Sequence, residues 1–103
     1  MNEKGVFNMI KVVCRIKLKP GVSVEEYLAL AKEVIIETRK EKGCITYTIN
    51  QDLDDPTVIS MLEEWEDQES LDAHLNAKHV LEIVPELRKL RESTELNQYK
   101  ELY

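Results

Sequence analysis

The chain has 103 residues, 43% hydrophobic and 33% charged, which is the balance of one small globular domain rather than a disordered chain. Its formal net charge is −6; proteins that bind nucleic acid need a basic footprint to displace counterions from phosphate, so nucleic acid is excluded as a partner. No apolar run nears the ~20 residues that span a bilayer, and Met1 to Asn8 lack the apolar core of a signal peptide, so no membrane partner is expected and the expected compartment is the cytoplasm.

Residues 1–8 show no periodicity and are expected to form a flexible leader to a single domain over residues 9–103. From Ile10 to Leu18 apolar residues alternate with Lys11, Val13, Arg15 and Lys17, the pattern of a half-buried strand with a solvated or interface face. Pro20-Gly21 is a turn signal. Ser23-x-x-Glu26 is a capping box that opens a helix to about Glu41. Its expected buried stripe is Tyr27, Leu30, Ala31, Val34, Ile35 and Thr38, and Gly43 is its stop.

Ile45, Tyr47, Ile49 and Gln51 alternate with polar residues to give a second strand. Asp54-Asp55-Pro56 turns the chain into a third strand over Thr57 to Trp65, so the pair is a hairpin. Alternation places Glu63 and Trp65 on one face with Ile59 and Met61 behind them. Asp67 is an N-cap for a short helix on which Leu71, His74 and Leu75 fall at i, i+3 and i+4. Folded back on its strand, this helix brings a carboxylate, an indole and an imidazole into one apolar pocket. A further helix carries Val80, Ile83, Val84, Leu87 and Leu90, with Pro85 expected to impose a kink or a fresh start. Thr94 to Tyr103 alternates weakly and reads as a last strand.

The order β-α-β-β-α-β is that of the split βαβ, ferredoxin-like α+β fold, an antiparallel sheet with its helices on one face. The other face is left open, and the commonest cover is a second copy about a two-fold axis. Cys14 and Cys44 have no CxxC spacing and read as buried reduced thiols.

Four motifs in order, Pro20-Gly21, Gly43-Cys44-x-x-Tyr47, Asp54-Asp55-Pro56 and Glu63-x-Trp65-(x)8-His74-(x)4-His79, make residues 9 to 102 resemble the antibiotic biosynthesis monooxygenase family, its small quinol-oxidising branch above all. The resemblance implies a homodimeric α+β barrel that oxidises phenolic, quinol or polycyclic aromatic substrates with O2 and without flavin, haem or metal. Trp65 matches that family's pocket tryptophan, His74 its helix histidine and Glu63 its strand carboxylate. Some relatives that oxygenate polyketides or degrade haem place an asparagine in the first strand; this chain has Cys14 there, which weakens the transfer of those two activities.

O2 is a triplet and reacts poorly with closed-shell organic molecules, but a deprotonated hydroquinone can give it one electron. A base and a dry, orienting pocket then suffice, and a histidine titrating near ~6.5 is the natural base. His74 is thus the expected catalytic base, Glu63 its orienting partner or a hydrogen-bonding group for the substrate, and Trp65 the surface on which the substrate ring stacks. Tyr47 and Cys14 would line the pocket and His79 would border its mouth. Each has an ordinary reading as well: Trp65 and Tyr47 as core, His74 as a satisfied core histidine. Glu63 on an apolar face is harder to dismiss, because a buried unpaired carboxylate is costly.

Two histidines and a glutamate also invite a metal, but His74 and His79 lie about 140° apart on a continuous helix, so no metal is expected. No glycine-rich phosphate loop is present, so no nucleotide cofactor is expected either. The reading is a cofactor-independent monooxygenase or quinol oxidase on a small aromatic substrate. Its rivals are a non-catalytic binding module and an isomerase or tautomerase of a small carbonyl compound.

Overall fold

The alternating segments become strands and the capped, periodic ones helices. The computed structural model describes residues 8–103, so all of the expected leader except Asn8 lies outside the described residues. In chain order the elements are β1 (Ile10–Leu18), α1 (Val24–Arg39), β2 (Cys44–Gln51), β3 (Val58–Trp65), α2 (Gln68–Leu75), α3 (Lys78–Arg88) and β4 (Arg91–Lys100). The strands form one antiparallel sheet in the order β2-β3-β1-β4. This is the α+β, ferredoxin-like fold, with the helices layered on one sheet face.

Register decides which residues meet the helices. β1 pairs with β3 so that Ile10 faces Trp65, Val12 faces Glu63, Cys14 faces Met61 and Ile16 faces Ile59. Paired residues share a face, and this face packs on Tyr27, Ala31 and Val34 of α1, Leu71 of α2 and Leu87 of α3. Fully burying one such large apolar side chain is worth ~1.5–3 kcal/mol.

Several local expectations are corrected. Helix α1 ends at Arg39 with Lys40 as its cap, which leaves Glu41 in the connection instead of in the helix. Leu30 is half-exposed, and the buried stripe is Tyr27, Ala31, Val34 and Thr38. In β2 a bulge sits between Cys44 and Thr46, which pair with the consecutive residues Trp65 and Glu64. The extra residue, Ile45, is thereby turned out to solvent and Cys44 takes the place beside Trp65. Pro85 does not start a new helix; α3 runs through it, and the break falls earlier, at Asn76-Ala77.

Strand β4 starts at Arg91 and stops at Lys100, and nearly all of it is exposed on both faces. Its first residue is anchored: Arg91 Nε donates to Tyr27 Oη at 3.0 Å. Beyond that point the helices do not cover it, and Leu96 and Tyr99 stand about half exposed.

The corner between α1 and β2 turns on Gly43, whose φ of +82° lies in the left-handed region. Its carbonyl accepts from Glu66 N–H at 2.8 Å. A Cβ at Gly43 would collide with the Ser70 side chain at the start of α2. Gly43→Ala is therefore expected to cost ~2–4 kcal/mol in chemical denaturation, from the left-handed strain and the collision together. Adding Ser70→Gly should restore the collision share only; an unchanged midpoint in the single variant would refute this contact.

Candidate functional site

The site is built outward from the end of β3. Glu63 and Trp65 point to the helix side, as alternation requires, and are 7% and 0% exposed. A buried indole N–H needs an acceptor, and Trp65 Nε1 donates to Glu63 Oε1 at 2.9 Å. Burial pushes the Glu63 carboxyl above the usual carboxylate range, an effect tempered by this bond and by the neighbouring His74.

Helix α2 begins where Asp67 Oδ1 accepts from Ser70 N–H at 2.8 Å. The cap sets the helix phase so that Leu71 and His74 face the sheet and are buried, whereas Leu75 is turned to solvent. The His74 ring lies over Trp65, with centroids 4.6 Å apart and planes inclined by 33°. Tyr47 meets it edge-on at 5.7 Å. The Tyr47 phenol is itself buried and held far above its ordinary pKa, by burial first and by Glu63 second.

The carboxylate that binds the imidazole is Glu41, from the corner before Gly43. His74 Nδ1 lies 2.9 Å from Glu41 Oε2, and His79 Nε2 lies 2.6 Å from the same oxygen. A carboxylate only accepts, so each of these nitrogens carries its ring's proton and donates it to that oxygen. In the neutral ring this arrangement leaves His74 Nε2 as the nitrogen without a proton.

Glu63, Trp65, His74 and Tyr47 come together as the sequence pattern predicts, and His79 joins them through Glu41. The orienting role expected of Glu63 is corrected: its bonded partner is Trp65, and Glu41 holds the histidine. Cys14 lies apart, buried with Ile16, Leu18, Tyr27, Ile59 and Leu87, its thiol pKa raised by that burial. Both cysteines are unbridged, and Cys44 is only partly buried. In the expected apolar pocket the aromatic groups pack on one another, and the imidazole occupies one face of the indole. Nothing local distinguishes Glu41 in the sequence; it reads as one more charge at a helix end.

The premise against a metal is altered as well. His74 closes α2 and His79 opens α3, so their angular separation on a single helix does not apply. A groove of about 320 Å³ lined by Glu33, Glu37, Lys78, His79 and Glu82 runs past this cluster. On the opposite face of the sheet, Lys11, Val13, Thr46, Thr48, Leu62 and Glu64 line a shallow hollow of about 290 Å³. No helix among the described residues is long and apolar enough to cross a membrane.

Residues 9–86 match the family model of the antibiotic biosynthesis monooxygenases. A conserved protein from Methanosarcina mazei, known from its crystal structure, is 39% identical, with a TM-score of 0.89 over 99% of this chain and 100% of that one. The crystal structure of an antibiotic biosynthesis monooxygenase is 26% identical, with a TM-score of 0.82 over 91% of this chain and 99% of that one. An uncharacterised Synechocystis protein, sll1783, is 33% identical over 94% of this chain, which spans 66% of that protein's length.

The raised Glu63 pKa has a consequence for stability. Its native value lies above the unfolded value near 4.5, so the native state holds the proton more tightly. Stability therefore falls as pH rises through that window, and the burial cost is fully present above the native value. Glu63→Gln keeps the oxygen that accepts from Trp65. It should be more stable than wild type at pH 8 by ~1 kcal/mol, or ~4 °C or more in Tm at this chain length. The difference should close towards pH 4.5; a variant less stable at pH 8 would contradict it.

Proposed function

The chain belongs to the antibiotic biosynthesis monooxygenase family, and from that premise we propose that it is a cofactor-independent monooxygenase or quinol oxidase. The substrate class is a small phenol or hydroquinone, the co-substrate is O2, and the compartment is the cytoplasm, where two unbridged cysteines persist. One observation carries this reading: a buried histidine stacked on an indole and held by a carboxylate through Nδ1. That arrangement selects one tautomer and leaves Nε2 as the base, the logic by which a buried carboxylate sets a catalytic imidazole.

In the proposed reaction His74 Nε2 takes the phenolic proton, and Glu41 stabilises the imidazolium that results. The phenolate then gives one electron to O2. With a hydroquinone, loss of two electrons and two protons leaves the quinone and hydrogen peroxide. With a phenol, one oxygen atom enters the ring and the other leaves as water, and the substrate, giving all four electrons to O2, ends as the quinone. Trp65 and Tyr47 supply the apolar walls. Since the imidazole already lies on the indole, the substrate ring meets the edge of this stack and enters by displacing packed side chains.

We also propose that the enzyme is a homodimer closed through the open sheet face. The exposed Leu62, the hollow around it and the doubly exposed β4 support this. Sedimentation should give twice the chain mass for wild type and the chain mass for Leu62→Glu. A wild-type monomer would refute the dimer.

The activity is tested by O2 uptake with a chemically reduced naphthoquinol in the presence of a metal chelator. Wild type should exceed autoxidation, His74→Ala should lose ~10²-fold or more, and Glu41→Gln ~10-fold or more. Full turnover in His74→Ala would overturn the assignment of the base. Turnover of an enolisable carbonyl compound under argon, with no O2 uptake above background, would favour proton transfer alone by the same dyad.

A further inference from the structure

The chain has two histidines in all, and the fold aims both at one oxygen of one carboxylate. Glu41 Oε2, His74 Nδ1 and His79 Nε2 lie within 4.8 Å of one another. They arrive from three places: the α1–β2 corner, the last turn of α2 and the first turn of α3. Two hydrogen bonds alone would not require this convergence, since a carboxylate offers two oxygens and Glu41 Oε1 makes no bond among the described residues. We propose that Glu41, His74 and His79 form a binding site for one divalent transition-metal ion of the zinc type.

The donor set suits such an ion. Two imidazoles and a carboxylate are a recurrent zinc set that leaves a fourth position open. Metal bonds of ~2.0–2.2 Å at tetrahedral angles place neighbouring donor atoms ~3.3–3.5 Å apart. The two oxygen–nitrogen separations, 2.9 and 2.6 Å, would open by about 0.4–0.9 Å and the nitrogens, within 4.8 Å of each other, would draw together to meet that spacing. The ligand side chains are 6%, 15% and 16% exposed for His74, His79 and Glu41, so the ion would be largely shielded from water.

Access is provided on the His79 side. The groove against it is lined by Glu33, Glu37 and Glu82 beside Lys78; Lys40 pairs with Glu37 and Lys78 with Glu82, which leaves a net negative charge that favours a cation. The ion would take the two donating nitrogens, and each neutral ring would move its proton to its other nitrogen. At His74 the metal would take Nδ1 and the ring proton would sit on Nε2. Bound metal and a basic Nε2 are therefore exclusive, a consequence that rests on the function proposed above, whereas the site itself does not.

The test is a titration of the chelator-stripped full chain with Zn2+ against a chromophoric chelator, with Co2+ absorption as a second readout. Expected are one Zn2+ per chain and a tetrahedral Co2+ spectrum. Affinity should fall tenfold or more in His79→Ala and in Glu41→Gln, and hold within twofold in Cys44→Ser. Both weakened variants should keep the metal-free circular dichroism of wild type; if one does not fold, the other decides. Affinity unmoved by both, or lost in Cys44→Ser, would overturn the proposal, as would the absence of stoichiometric binding. Because this titration reads no turnover, its failure leaves the oxidase reading standing, and a failed O2 assay leaves the metal site standing.

Discussion

A single carboxylate oxygen ties the helical layer together. Glu41 Oε2 meets His74 across 33 residues of sequence and His79 across 38, and so joins the α1–β2 corner to the junction between α2 and α3. Burying a carboxylate away from water is tolerable only if its lone pairs find donors, and the two imidazoles are those donors. In return, the bond at Nδ1 fixes the rotation of the His74 ring, which lets it lie on Trp65 as a defined stack. Without Glu41 an imidazole 4% exposed would have a polar atom to satisfy and no reason to hold one tautomer.

The position of that oxygen depends in turn on backbone events in the corner. Helix α1 stops at Arg39, Gly43 takes a left-handed conformation, and the bulge in β2 places Cys44 beside Trp65. Had the helix continued to Glu41, its carboxylate would have followed the helix surface. Had β2 carried no bulge, Ile45 would occupy the place beside Trp65 and Cys44 would turn outward. The helix end, the left-handed glycine and the bulge, all between Arg39 and Thr46, thus decide which side chains reach the indole and the imidazole.

This is also where sequence reading reaches its limit. Period-two alternation is a property of neighbours, so β1, β2, β3 and the common face of Glu63 and Trp65 were legible, as were the Asp67 cap and the inward turn of His74. Glu41 was not, because its significance comes from two residues more than thirty positions away and its own surroundings are those of any charged helix end. The outward turn of Leu75 and the break at Asn76-Ala77 escaped for a related reason. A run of helix formers does not state where one helix yields to the next, and the angular argument against a metal depended on that boundary. The bareness of β4 is a tertiary fact as well: its weak alternation says strand, but only the reach of the helices says that neither face is covered.

The same three side chains can serve a proton or a metal ion, and the chemistry of imidazole separates the two uses. With the proton on Nδ1, donated to Glu41, the second nitrogen is a base directed away from the carboxylate. With a cation on Nδ1, the ring proton moves to the second nitrogen, which then withdraws from acid–base work. The acidic groove past His79 favours the cation, while the depth of His74 beneath Trp65 and Tyr47 favours an apolar partner at the other nitrogen. The Nδ1 end of the imidazole is thus committed to the helix corner, and the ring itself to the indole. On the two proposals above, occupancy of Nδ1 would govern reactivity at Nε2 through the ring alone.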